Sequence, residues 1–229
     1  MTEQQQQNRL MLGAAETKKL LEEAGIPFVA TRLAKTKREA ASLSREIGFP
    51  VVLKIVSPDI VHKSDVGGVK VGLANTAQVL KAYSEIVANV RSSFPGARIE
   101  GIAVQHMARP GVEVIIGMSE DAQFGPFIMF GLGGIWVEAL KDVAFRLVPV
   151  TARDAAEMVR EIKGFDILRG YRGQEPVDIA FLEKLIVKVS GFIERNPRVR
   201  ELDINPLIAY GDGAVAVDAR IIVEPQAPP

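Results

Sequence analysis

Residues 54–72 read KIVSPDIVHKSDVGGVKVG: a lysine inside an apolar run, a histidine beside a second lysine, then two glycines and a return to alternating apolar residues. Period-two alternation puts Val52, Lys54 and Val56 on one face of a strand, so the Lys54 ammonium emerges from an apolar surface and asks for an anion. A lysine whose stem lies along the sheet while its head reaches water gives the same pattern. Gly67 and Gly68, between two strands, allow backbone N–H groups to approach a phosphate with no side chain intervening. An ordinary hairpin turn asks for the same two glycines. His62, next to Lys63 and close to that turn, has the chemistry of a nucleophile that accepts a phosphoryl group, against the usual reading of a lone histidine as a surface residue.

A second set lies near the C-terminus. In VRELDINPL, Glu201, Asp203 and Asn205 alternate and point to one face, with Leu202 and Ile204 on the other. The return segment AVAVDARIIV brings Asp218 within a residue or two of Asn205 across the hairpin, with Arg220 on the face of Asp218. Oxygen ligands without a neighbouring histidine or cysteine suit Mg²⁺, which takes one or two protein carboxylates and fills its octahedron with water and substrate phosphates. A solvated outer face laced with ion pairs is the competing account. FGLGGIWVEAL at 130–140 offers a second glycine-rich turn after a strand, suited to phosphate or to close packing. Arg146, alternating with apolar residues in VAFRLVPV, reads as a phosphate contact or as a cation at a strand edge. His106 reads as structural.

The elements that must hold these groups are mixed. TKKLLEEAGIP predicts a helix stopped by a left-handed Gly25 and by Pro27. Thr36 with Glu39 opens a second helix as a capping box, Ala40, Leu43 and Ile47 form its stripe, and Gly48 ends it. Further helices are predicted over 76–91, 151–163 and 176–196, and strands over 51–56, 69–74, 99–107, 112–118, 126–131 and 143–148, with a last pair around Gly211-Asp212-Gly213. Helices flanking largely antiparallel strands give the fold class α+β, in two lobes. Apolar residues make up 48% of the chain, enough for a sizeable core, and 28 basic residues balance 28 acidic ones, leaving no net electrostatic footprint for nucleic acid or an anionic membrane. No apolar run approaches roughly 18 residues, and MTEQQQQNRLM lacks the apolar centre of a signal peptide, so a soluble cytoplasmic protein is expected. The absence of cysteine excludes disulfides, thiolate metal sites and a cysteine nucleophile. Residues 1–9 and 226–229, polar or Pro-rich, are expected to be disordered.

Together, GFPVVLKIVSPDIVHKSDVGGVKVGL, VQHMARPGVEVIIGMSEDAQFGPFIMFGLGGIWVEALKDVAFRLVPVT and ELDINPLIAYGDGAVAVDARI resemble the ATP-grasp superfamily, and within it the β subunit of ADP-forming acyl-CoA synthetases, relatives of succinyl-CoA synthetase. The resemblance implies an ATP-grasp fold over residues 10–225, with lobes of about 10–104 and 105–225 and the nucleotide, ATP or ADP, bound between them. It implies that Lys54 contacts nucleotide phosphate, beside the candidate Arg146 that the residues alone suggest. Gly67 and Gly68 then belong to a mobile phosphate-covering loop, and Gln105, His106, Met107 and Glu113 lie near adenine and ribose. Asn205 and Asp218 match Mg²⁺ positions, with Asp203 a further candidate. His62 matches the histidine that relays phosphate. The implied reaction is acyl-CoA + phosphate + ADP = acid + CoA + ATP. A partner α subunit would bind CoA, form an acyl phosphate, carry its own phosphohistidine and hold most of the acyl pocket, in an α2β2-type heteromer. No GxGxxG follows a strand here to hold CoA, and a starting Met with a glutamine-rich leader suggests a separate subunit. The alternatives are another ATP-grasp carboxylate ligase and a non-catalytic module that senses ATP or ADP.

Overall fold

The computed structural model describes residues 9–60, 62–134, 142–171, 173 and 175–225. The chain divides into two compact units, a smaller one of residues 29–109 and a larger one of residues 1–28 with 110–229. Residues 10–28, placed by the sequence reading in the first lobe, therefore belong with the C-terminal part. Strand β1 (Leu10–Met11) and helix α1 (Ala14–Glu23) explain why. Leu21 and the following Ile26 are fully buried in the larger unit's core. The helix stops as its sequence predicts: Gly25 adopts φ +79°, its N–H donates to Glu22 O, and Ile26 N–H reaches back to Leu21 O at 2.9 Å. Arg9, expected within a disordered end, pairs with Glu201. Residues 1–8 and 226–229 lie outside the described residues.

The smaller unit contains β2 (Thr31–Ala34), α2 (Lys37–Ile47), β3 (Val51–Val56), β4 (Val69–Leu73), α3 (Thr76–Ser93) and β5 (Gly101–His106). Its four strands form an antiparallel sheet in the order β2-β5-β3-β4. Alternation sends Val51, Leu53 and Ile55 of β3 and Ile102 and Val104 of β5 to one face, where they are buried against Ala40 and Leu43 of α2 and Val79, Ile86 and Val90 of α3. Each such aliphatic side chain contributes about 1.5–3 kcal/mol on burial. Thr36 caps α2 as predicted, accepting the Glu39 N–H at 3.1 Å, but Glu39 reaches past the cap to the Lys35 N–H at 2.8 Å. Asn75 and Gln78 repeat that arrangement at α3, with Gln78 accepting from the Ala74 N–H.

The larger unit continues with β6 (Val112–Asp121), β7 (Gly125–Leu132), β8 (Val143–Leu147), α4 (Ala152–Glu161), α5 (Phe165–Leu168), α6 (Ile179–Arg195), β9 (Val199–Tyr210), β10 (Gly213–Ala216) and β11 (Ala219–Val223). Its sheet runs β1-β11-β9-β6-β7-β8, and β10 also pairs with β9. All of these pairings are antiparallel. One face, with Ile116, Ile128, Phe130, Leu202 and Ile204, packs on Met158 and Val159 of α4 and Leu185, Ile186 and Val189 of α6. The predicted return strand is two strands broken at Val217-Asp218. Val217 N–H donates to Pro206 O at 2.9 Å and Asn205 N–H to Asp218 O at 3.1 Å, and these bonds secure the break. The α+β class with two lobes is the observed architecture. Among the described residues no helix is long and apolar enough to cross a membrane.

Candidate functional site

On the smaller unit, register decides which side chains share a surface. Lys54 is opposite Val69 on β4 and Ala103 on β5, while Gln105 is opposite Val52 on β3 and Thr31 on β2. Directly opposed residues of antiparallel strands share a face, so Lys54 and Gln105 lie together on the face that the helices leave open. Gln105 is buried and donates through Nε2 to Thr31 Oγ1 at 3.1 Å; Thr31 in turn donates to Val29 O at 3.0 Å. Thr31 escapes a sequence reading because only the β2–β5 register brings it there. His106 points the other way, its Nδ1 3.4 Å from Gly48 O at the end of α2, while its backbone N–H donates to Ala30 O. Met107 N–H donates to Pro50 O at 3.0 Å.

His62 is exposed in the β3–β4 loop, ahead of a turn closed by its own backbone. Gly67, at φ +62°, donates its N–H to Ser64 O at 3.0 Å, and Gly68 N–H donates to Lys63 O at 2.8 Å. A Cβ on Gly68 would stand 2.7 Å from Ile55 Cγ2 and 2.8 Å from Lys63 O, so only glycine fits. Turn geometry and close packing thus account for both glycines, and these N–H groups must exchange partners before they can hold a phosphate.

On the larger unit, one cross-strand row runs Arg220, Asp203, Gly117, Met129, Phe145 over β11, β9, β6, β7 and β8. It lies on the face opposite α4 and α6. A bulge follows: Ile116 pairs with Ile204 and Val114 with Leu207, leaving Asn205 and Pro206 opposite Ile115 alone. Such an insertion re-aims side chains, and Asn205 is exposed there beside the Asp218 backbone. Burial pushes the Asp203 carboxyl above its ordinary value; Arg220 opposes the rise and the Asp218 carboxylate adds to it. Among the described residues no hydrogen bond or ion pair reaches the Asp203 carboxylate. A desolvated carboxylate without a donor, a second carboxylate and an amide oxygen make an all-oxygen donor set that fits a hard cation such as Mg²⁺. No cluster of three or more His, Cys, Asp or Glu gathers among the described residues, so a cation here needs ligands from outside the chain, as Mg²⁺ commonly takes from phosphates.

Glu113 shares this open face, being opposite Ile208 and next to the buried Val114. Its C=O accepts the Gly133 N–H at 2.7 Å, and a Cβ on Gly134 would stand 2.9 Å from its Oε2. The Gly133-Gly134 turn therefore abuts Glu113, while residues 135–140 of that glycine-rich segment lie outside the described residues. Arg146 is not brought to this cluster. It is opposite the buried Ile128 on the helix-covered face and bonds Glu161 of α4 at 2.7 Å, as a strand cation satisfied by its neighbour does.

Residues 3–223 match the model of a family described as "ATP-grasp domain". The chain is 50% identical over 208 residues to "Acetate--CoA ligase [ADP-forming] I subunit beta" of Pyrococcus furiosus, a match covering 91% of this chain and 90% of that one. It is 48% identical over 209 residues to "Acetate--CoA ligase [ADP-forming] I" of Archaeoglobus fulgidus, covering 91% of this chain and 30% of that longer one. Among solved structures, the dinucleotide forming acetyl-coenzyme A synthetase 1 of Ca. Korarchaeum cryptofilum, in complex with coenzyme A, Ca-AMPCP and HgCl+, superposes with a TM-score of 0.91 at 51% identity over 93% of each chain. The same synthetase with coenzyme A and Mg-AMPPCP, its phosphohistidine segment pointing towards the nucleotide binding site, gives a TM-score of 0.83 at 47% identity over 93% of each chain. This chain belongs to the ATP-grasp family and is closely related to the β subunits of ADP-forming acyl-CoA synthetases.

Proposed function

We propose that this chain is the nucleotide-binding catalytic subunit of an ADP-forming acyl-CoA synthetase and that His62 carries the phosphoryl group to ADP. The observation that carries the reading is the oxygen-donor cluster of Asp203, Asn205 and Asp218, where the desolvated Asp203 carboxylate has no donor among the described residues. Asn205 and Asp218, with Asp203 beside them, would hold Mg²⁺. When bound, Mg²⁺ neutralises phosphate charge and orients the polyphosphate for in-line displacement.

The remaining roles belong to side chains and backbone. Lys54 offers a cation to the phosphates from the open sheet face that it shares with Gln105. Gln105 and the Met107 backbone line the adenine, and Glu113 faces the ribose; the 67–68 turn opens to cover the phosphates. The neutral imidazole of His62 attacks phosphorus with its own lone pair, so no separate base is needed. A P–N bond forms as the bond to the donor, a phosphohistidine of the α partner, breaks. A β-phosphate oxygen of ADP then attacks, the P–N bond breaks and the imidazole is regenerated neutral. The α partner binds CoA and forms the acyl phosphate, in an α2β2 assembly.

Co-expressed with its α partner, this chain is expected to take label from γ-labelled ATP and Mg²⁺ in an acid-labile, base-stable form, and His62→Asn is expected to abolish it. Unchanged labelling and ADP-dependent turnover in His62→Asn would remove the relay. A chain that bound Mg·ADP but never took label would be a sensing module instead.

A further inference from the structure

We propose that Arg220 is a phosphate-binding residue that grips the terminal phosphate of the nucleotide; this deepens the functional reading above and rests on it. Arg220 and Asp203 are direct cross-strand partners, and side chains at such positions start about 4.5–5.5 Å apart at Cβ. The planar guanidinium fork matches a carboxylate so well that an Arg opposite an Asp ordinarily closes into a pair. Its neighbours on the same end of the sheet do close. Arg200 bonds Glu120 at 2.7 Å and Glu224 at 2.6 Å, Arg198 bonds the Glu224 carbonyl at 2.6 Å, and Arg9 pairs with Glu201.

Arg220 does not. Among the described residues no hydrogen bond or ion pair reaches its guanidinium, although its charge is felt at Asp203 through space. The exposed cation thus borders a floor of two carboxylates and an amide, held apart from the nearest of them. A cation on those carboxylates can meet only some oxygens of a phosphate. The others, still anionic, would face carboxylates unless a donor stood at the rim. A forked guanidinium supplies paired N–H groups at that place and offsets the acidic charge that would otherwise repel a polyphosphate. On this assignment the contact is made by the second phosphate, so ADP gains it and AMP, with one phosphate, does not.

The test uses the full-length chain, titrated calorimetrically with ADP in saturating Mg²⁺ and with AMP, and with Mn²⁺ alone followed by water proton relaxation. Arg220→Gln is expected to weaken Mg·ADP about ten- to hundredfold, the loss of a charged hydrogen-bond pair, with AMP binding unchanged and Mn²⁺ binding no weaker. Arg220→Lys should recover part of the loss, as a point charge without the fork. Asp218→Asn, by contrast, should lose Mn²⁺ binding. Melting curves show whether each variant folds; if Arg220→Gln does not, Arg220→Lys is read by the same ADP-to-AMP comparison. Unchanged Mg·ADP affinity, an equal loss for ADP and AMP, or a loss of Mn²⁺ binding matching that of Asp218→Asn would each overturn the assignment. A wild-type chain that bound neither nucleotide would overturn the functional reading itself, and Arg220 with it.

Discussion

On the smaller unit, Gln105 of the open sheet face donates to Thr31, Met107 N–H donates to Pro50, and Gly67 and Gly68 donate to carbonyls of their own loop. On the open face of the larger unit, Asp203 and Arg220 stand directly opposed without a bond between them. The two faces prepare for a ligand differently. Where donors are already bonded, a ligand must replace an existing bond with an equivalent one, which yields selectivity for shape and little net energy. Where charges are desolvated and left open, a ligand of the right sign relieves a cost already present in the empty fold, which yields affinity. Lys54 adds a charge to the smaller unit's open face, beside Gln105.

Lys54→Ala is the sharpest way to break this contrast. It should weaken Mg·ADP binding by the full chain about ten- to hundredfold, the range for a charge-assisted contact, and move the melting temperature little, since the half-buried stem lies on the open side of the sheet. Unaltered affinity would place the phosphate site away from the smaller unit's face.

How far the sequence foretold this contrast depends on the kind of signal. Lys54 and the α2 stripe were legible because a period of two or of 3.6 is local, and so was the Gly25 stop. Asp218 was placed against Asn205 correctly because a hairpin fixes register over a short span. Arg146 shows the limit. Its alternation with apolar residues was visible, but which face it joined depended on β7 and on Glu161 of α4, a partner supplied by another element. Residues 10–28 show the same limit at larger scale: nothing in TKKLLEEAGIP says that Leu21 will be buried with strands from the other end of the chain. His106 and Gln105 are adjacent in sequence and separated by the sheet, so a motif that names both does not tell which ring or amide faces the ligand.

A smaller effect, of opposite sign for stability and binding, is expected from Asp203→Asn. Burial raises the folded-state value of this carboxyl above its unfolded one, so the folded chain disfavours the ionised form. The stability present below the unfolded carboxylate range is therefore lost as pH rises through the raised folded value. Asparagine does not ionise. In chelator the variant should melt above wild type at neutral pH and converge with it in acid; saturating Mg²⁺ should stabilise wild type and leave the variant where it was. Melting curves across pH with and without Mg²⁺ check both halves. A wild type more stable than the variant at neutral pH in chelator would mean that Asp203 has a donor in the empty protein, and the larger unit's face would then resemble the smaller one's.

The smallest expected effect comes from a polar group that lacks a partner yet faces no ligand. Thr17 in α1 is 1% exposed and its Oγ1 has no hydrogen-bond partner among the described residues, while the Gly13 carbonyl one turn back accepts Thr17's own N–H at 2.9 Å. Valine keeps the shape and nearly the helix propensity while removing the stranded hydroxyl, a change worth about 1 kcal/mol. Thr17→Val should therefore raise the larger unit's melting temperature by about 2–4 °C and leave Mn²⁺ and Mg·ADP binding as they are. The comparison with Asp203 gives the result its meaning. Both groups weaken the empty fold, but Thr17 is sealed in the core whereas Asp203 lies on the open face beside a second carboxylate, so relief by substitution should cost binding at one position and nothing at the other. If Thr17→Val lowered stability, the hydroxyl would have to be satisfied by a trapped water, and lack of a protein partner would no longer distinguish the charged face from the core beneath it.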